Sequence, residues 1–189
     1  MPHNLLVTGA PGVGKSTALE TAASRLREKG YTVGGLVSPE MRDAEERVGF
    51  RIVDLATGEN AVMAHVDHEE GPRVGKYTVD VDAVDRITIQ ALDQAREEAD
   101  VVLVDEIAPM EVESEWFVNG VRACLDVAQP LVGTIHQASS RGFLGEVKAR
   151  EDVTVLEVTR QTREAIPSQV VQRVTEALAS ADEGPGFPV

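Results

Sequence analysis

The stretch Gly9-Ala10-Pro11-Gly12-Val13-Gly14-Lys15-Ser16 matches glycine, four residues, then Gly-Lys-Ser/Thr. Small residues let successive backbone N–H groups turn inward on one anion, and a following helix adds the positive end of its dipole. Such a cradle suits the α- and β-phosphates of a nucleotide. Lys15 brings a mobile charge toward the β- and γ-phosphates, Ser16 a hydroxyl for Mg²⁺, and Thr17 a hydroxyl for a further phosphate oxygen. The pattern carries this meaning only between a strand and a helix. Leu5-Leu6-Val7 precedes it, and Leu19, Ala22, Ala23 and Leu26 form one helical stripe after it.

A second constellation is Asp105-Glu106, closing the unbroken apolar run Val101-Val102-Leu103-Val104. An aspartate leaving such a strand beside the loop can hold Mg²⁺ through water. Glu106 points to another side of the strand end, where it can polarise the water that attacks a γ-phosphate. Without the loop upstream, the same pair would read as a solvated turn.

Charge developing on a transferred phosphoryl group calls for a cation, and Arg42, Arg47, Lys76, Arg141, Lys148 and Arg150 are the candidates. Arg42 is favoured by the motif around it, and Arg150 by its place in an expected lid. His136, after the apolar run Leu131 to Ile135, is expected to open on the same crevice. His65 and His68 have no further His or Cys to complete a transition-metal set. Met110 and Trp116 read as packing residues, and Glu111 as a residue that orients Glu106 or water, or caps a helix.

Apolar runs alternating with longer helical patterns position these groups, which argues for crossover units and a largely parallel sheet covered by helices. Strands are predicted at 4–8, 32–37, 101–104, 131–135 and 153–158. Helices are predicted from the loop to Gly30, over 81–99 with Asp80 or Asp82 as cap, over 113–127 and 139–149, and after Pro167. Between them, 42–47 reads as a charged turn, and 49–55 turns at Thr57-Gly58 into a short antiparallel partner.

Composition sets the outer bounds. A chain of 189 residues with 42% hydrophobic content makes one mid-sized domain with its own core. Lys+Arg of 18 against Asp+Glu of 32 gives a net charge of −14, which disfavours nucleic acid and anionic membrane as partners. Lysine stands only at 15, 29, 76 and 148 while arginine supplies the remaining positive charge, a balance of proteins that stay soluble in concentrated salt. The single Cys124, and an amino end without a basic or long apolar segment, predict a soluble cytoplasmic chain. We expect one domain over 1–180 and a disordered tail over 181–189; oligomeric state stays open.

The segments Gly9 to Ser16, Glu40-Met41-Arg42, Val48-Gly49-Phe50, Val74-Gly75-Lys76-Tyr77 and Asp105-Glu106-Ile107-Ala108-Pro109-Met110-Glu111 occur in that order. Together they resemble the small nucleoside-triphosphatase family first described from thermophiles, which includes the cancer-related nucleoside triphosphatase. The likeness runs from Asn4 to about Leu178, and the Asp-Glu-Ile-x-x-Met-Glu segment is its most specific part.

The resemblance implies an α/β phosphate-loop fold in three layers, with a mainly parallel sheet, helices on both faces and an added antiparallel hairpin. It implies Mg²⁺-dependent hydrolysis of ATP, GTP and other triphosphates to diphosphates, with nucleotide contacts along Gly9 to Ser16 and Val101 to Ala108. Ala108 stands where the family commonly has glycine, a mild change on extended backbone and a strained one at positive φ. Thr162-Arg163 stands where Asn-Arg often follows the last strand, leaving Arg163 to stack on a purine. The catalytic set expected is thus Lys15, Asp105, Glu106, Arg42 and Arg150, with Ser16 and Asp105 on the metal. A small nucleotide kinase uses the same loop and metal, and a nucleotide-controlled switch is a further reading. The Asn/Thr-Lys-x-Asp and Asp-x-x-Gly signatures of GTPase switches are absent.

Overall fold

The computed structural model describes residues 3–182. The expected tail from 183 onward lies outside them, and Ala181 and Asp182 end the last helix.

Leu5, Leu6 and Val7 leave strand β1 (Asn4–Thr8) no face for water, and none of the three is more than 3% exposed. The glycine loop delivers the chain to α1 (Lys15–Glu28), which buries the predicted stripe Leu19, Ala22, Ala23 and Leu26 and stops before Gly30 at φ 94°. Then come β2 (Val33–Val37), β3 (Glu40–Asp43), β4 (Glu46–Asp54), β5 (Asn60–His65), β6 (Arg73–Val74) and β7 (Tyr77–Val79). Helix α2 (Val81–Glu98) is capped by Asp80, whose carboxylate accepts from the Ala83 N–H. The chain continues through β8 (Val101–Ile107), a 3₁₀ turn at Glu111–Glu113, α3 (Glu115–Leu125), β9 (Leu131–Ile135), α4 (Gly142–Lys148), β10 (Val153–Glu157) and α5 (Ile166–Asp182).

One sheet holds every strand, in the order β10, β1, β9, β8, β2, β4, β5, β7, β6, with β3 on β4. The first five are parallel. Alternation along the strands divides two cores. Leu6, Val102 and Val104 pack with Ile87, Leu92 and Phe117 of α2 and α3, while Leu5, Val7, Val101 and Leu103 pack with Leu19, Leu26, Val170 and Val174 of α1 and α5. The result is the expected three-layer α/β arrangement, and β8 is the central buried strand foreseen.

The antiparallel part is larger than the one hairpin expected: β3 to β7 extend the sheet past β2. The predicted charged turn at 42–47 is instead the tip of a second hairpin, in which Asp43 pairs with Glu46 around Ala44 at φ 51°. Both strand ends are exposed and charged there, so no apolar alternation marks them, and Ala-Glu lacks the Asn-Gly or Asp-Gly signature of a two-residue turn. Helix α3 begins after Glu113, because Ser114 accepts from the Phe117 N–H and makes the cap.

Candidate active site

In an open parallel sheet, ligands gather beyond the carboxyl ends of the strands, and the predicted loop leaves β1 at that edge. Gly9 is held against the strand beyond it: a Cβ there would meet the Val158 carbonyl oxygen at 2.6 Å. Gly14 takes φ 107° as the residue that opens α1, with no side-chain cap on the helix, so its first N–H groups remain for an anion. Lys15 Nζ donates to the carbonyls of Gly9 (3.0 Å) and Ala10 (3.2 Å), folding back over its own loop. Ser16 and Thr17 stand exposed in the first turn. Arg163 adjoins this cradle, its Cδ 3.8 Å from the position a Cβ on Gly14 would take.

Asp105 and Glu106 lie within β8. Between the pairs Val104↔Gly133 and Ile107↔Ile135, both residues stand opposite Thr134 alone. Two residues facing one is a bulge, which breaks the alternation and re-aims side chains. Asp105 is 8% exposed, and its Oδ1 accepts from the Thr134 hydroxyl at 2.5 Å. One strand, β9, separates β8 from β1, so the acids lie about 10 Å across the sheet from the loop strand. Even so, Lys15 is close enough to act on Glu106. Burial and the neighbouring Asp105 raise the Glu106 pKa, and the charges of Lys15 and Arg47 oppose that rise.

Beneath this pair sits Glu111, 3% exposed, with its Oε2 buried and without a hydrogen-bond partner. Burial, then the charge of Glu106, pushes it up to about 8, against a hydrogen bond with Ser38. Glu111 therefore holds a proton near neutral pH. Ser38 ties this corner together, its backbone N–H donating to the Asp105 carbonyl at 2.6 Å. Thr134 and Ser38 were not read from the sequence; a lone hydroxyl in a strand or after one carries no motif.

His136 follows β9; its backbone N–H donates to the Ile107 carbonyl at 3.1 Å, its ring Nδ1 lies 2.8 Å from the Ser139 hydroxyl, and burial, Lys148 and Lys15 lower its side-chain pKa. Ala108 is not among the described non-glycine residues with positive φ, so it replaces glycine without strain. Val101, Val102, Leu103, Val104 and Ile107 are buried strand residues, at most 5% exposed, that pack into the two cores on either side of the sheet. Ala10, Pro11 and Gly12 are exposed on the loop, and Val13 packs on the core.

The arginines divide differently from the expectation. Arg150 lies at the opposite end of the sheet, in ion pairs with Asp126 (2.8 Å) and Asp152 (2.7 Å) and a hydrogen bond to the Leu125 carbonyl. It fastens α3 to the start of β10, so the structure does not bring it to the loop. Arg42 is spent on Glu40 and on the Glu45 carbonyl at the hairpin tip. Lys148 gives its three donors to the carbonyls of His136, Gln137 and Ser139. Arg47 is the one whose charge is felt at Glu106. Trp116, read as packing, is 56% exposed. A surface cleft of about 660 Å³ runs between α5 and the end of α1 remote from the loop, and another of about 500 Å³ lies along α5 beside His3.

A glycine cradle at a helix start, a cation folded over it and a paired acid across the crevice define a nucleotide-binding α/β protein. A family model described as NTPase matches residues 4–171, and the chain belongs to that family. The nucleoside-triphosphatase THEP1 of Methanopyrus kandleri is 38% identical over 179 residues, covering 94% of this chain and 98% of that protein. Its counterpart from Thermofilum pendens is 41% identical over 177 residues, 93% of this chain and 97% of the relative. Among solved structures, THEP1 from Aquifex aeolicus superposes with a TM-score of 0.79 at 26% identity, over 90% of this chain and 98% of that one. The human cancer-related nucleoside triphosphatase gives 0.77 at 30% identity, over 93% and 98%.

Proposed function

We propose that the chain is a Mg²⁺-dependent nucleoside triphosphatase that hydrolyses ATP, GTP and other triphosphates to the diphosphate and phosphate. The observation that carries this reading is that the glycine loop lies between β1 and α1 while the Asp105-Glu106 bulge of β8 stands at the same carboxyl edge of the sheet, one strand away.

Backbone N–H groups of Gly12 to Lys15 and the start of α1 take the α- and β-phosphates, while Lys15 exchanges its two loop carbonyls for β- and γ-phosphate oxygens. Glu106 accepts a proton from a water, whose oxygen attacks the γ-phosphorus as the bond to the β,γ-bridging oxygen breaks. The diphosphate then leaves with that oxygen. Thr134 keeps Asp105 turned toward the crevice. Arg163, beside Gly14, is placed to stack on the base.

The donors fit the metal. The Ser16 hydroxyl and the Asp105 carboxylate are hard oxygen ligands, and the Asp105 Oδ2 takes no hydrogen bond from the described residues. Three or more His, Cys, Asp or Glu side chains able to hold an ion by themselves do not gather anywhere among the described residues, so phosphate and water must complete the shell. When bound, Mg²⁺ offsets charge on the phosphate oxygens.

No described helix is long and apolar enough to cross a membrane, and the lone buried Cys124 suits the reducing cytoplasm where nucleotides are abundant. The test is a turnover panel over ATP, GTP, CTP, UTP and their deoxy forms, with nucleoside monophosphates and diphosphates offered as acceptors. Release as free phosphate, dependent on Mg²⁺, supports the reading. Transfer to an acceptor in preference to water overturns it in favour of a kinase, and tight binding with neither outcome favours a switch.

A further inference from the structure

Arg47 is held as a tool rather than as a surface charge. Its Nε donates to the Tyr77 hydroxyl at 3.0 Å, and its Nη1 to Glu40 Oε1 at 2.8 Å. Its guanidinium carbon lies 5.1 Å from the Phe50 ring centroid and 6.0 Å from that of Tyr77. Phe50 and Tyr77 themselves pack edge to face at 5.3 Å. A guanidinium has five N–H donors, and the described residues engage the Nε and Nη1 positions only. The Nη2 end is uncommitted while the plane of the group is fixed by rings and by Tyr77.

The backbone aims this group at the crevice. β4 pairs with β2 only at Asp54 and Val53 and continues beyond the end of that strand. A register shift at Phe50/Arg51 marks a bulge, which bends the strand. Pro39 accepts from the Arg51 N–H at 2.9 Å and Ser38 is bonded to Asp105, so the bent hairpin is anchored at the acid end of β8. Arg42 and Arg47 face each other across the hairpin, one pair in from its tip, but Arg42 is committed to Glu40 and the Glu45 carbonyl.

Resting on the hydrolase reading above, we infer that Arg47 is the arginine that meets the γ-phosphoryl group, delivered by the bent β3–β4 hairpin and parked on Glu40 until a polyphosphate competes for it. Glu40 is suited to the parking role because its carboxylate is shared: Oε2 takes Arg42 and Oε1 takes Arg47. When Arg47 turns to phosphate, Arg42 still neutralises Glu40, so the transfer strands no charge. The role of Tyr77 and Phe50 is to keep the guanidinium planar to the incoming oxygens, which a lysine could not reproduce.

The experiment compares wild type, Arg47→Ala and Arg47→Lys, with Arg51→Ala as a strand-matched control whose guanidinium serves Asn60 instead. Steady-state phosphate release from ATP and GTP, ADP affinity, and the tightening of ADP binding by aluminium fluoride with Mg²⁺ present are measured, with melting temperatures alongside. We expect Arg47→Ala to lower kcat about 100-fold or more, to change ADP affinity less than about threefold, and to abolish the fluoride-induced tightening; Arg47→Lys should recover only a small part. A kcat for Arg47→Ala within about threefold of wild type, or a loss of ADP binding equal to the loss of kcat, overturns the inference. If Arg47→Ala does not fold, Arg47→Lys decides: a low kcat with ADP affinity intact supports the inference, and full activity overturns it. Wild type that releases no phosphate at all sinks the hydrolase reading and this inference together, whereas active wild type with indifferent Arg47 variants sinks this inference alone.

Discussion

Thr134 Oγ1 donates to Asp105 Oδ1 at 2.5 Å from the one residue of β9 that faces the two-residue bulge of β8. The intervening strand thereby holds the carboxylate proposed to face the metal, on the side of β8 toward the loop strand two places away. Replacing Thr134 by Val keeps the shape and removes the donor. We expect Thr134→Val to raise the Mg²⁺ concentration needed for half-maximal activity about tenfold, as loss of an outer partner of a metal ligand commonly does. A magnesium titration checks this, and an unchanged midpoint would show that Asp105 needs no such support.

Gly9 carries a second prediction, on stability and binding at once. Its φ of 153° and the Val158 carbonyl oxygen 2.6 Å from an added Cβ leave no room for alanine, and the obstacle is backbone. Gly9→Ala should cost about 1–3 kcal/mol of stability and weaken nucleotide binding, because the first loop residue must shift. Denaturant unfolding and calorimetry with ATP give the two numbers.

Glu111 makes stability fall as pH rises. In the unfolded chain its carboxyl titrates near 4.5, while burial and Glu106 push it up to about 8 in the fold. Between those values the folded chain holds a proton that the unfolded chain has lost, so stability drops as pH increases. Its contribution is complete below about 4.5 and is lost as pH climbs to about 8, with a slope of up to ~1.4 kcal/mol per pH unit. Glu111→Gln, uncharged and of the same shape, should flatten that slope. Parallel stability curves for the two proteins between pH 5 and 8 would place the titration elsewhere.

Much of the fold and half of the site were legible from residue types alone. Leu5-Leu6-Val7, the run from Val101 to Val104 and the stripe Leu19, Ala22, Ala23, Leu26 specify their elements because burial on both faces of a strand or one face of a helix leaves a periodic trace. The loop and Asp105-Glu106 were legible because their chemistry is local in sequence. Arg47 against Arg150 was not, since choosing among exposed cations requires knowing which end of the sheet each occupies. Arg150 lies only three residues before β10, yet that strand begins at the edge away from the loop, where Asp126 and Asp152 hold it. The β3–β4 hairpin escaped for the same reason in reverse: an exposed edge strand of Glu, Arg and Asp leaves no apolar alternation to count.

The proposed hydrolysis turns most directly on Glu106. Single-turnover phosphate release and ATP affinity measured side by side for wild type and Glu106→Gln separate holding the polyphosphate from attacking it. We predict affinity within about threefold of wild type and phosphate release slowed about 100-fold or more. Phosphate release at the wild-type rate by Glu106→Gln would contradict the assignment of Glu106 as the group that activates water.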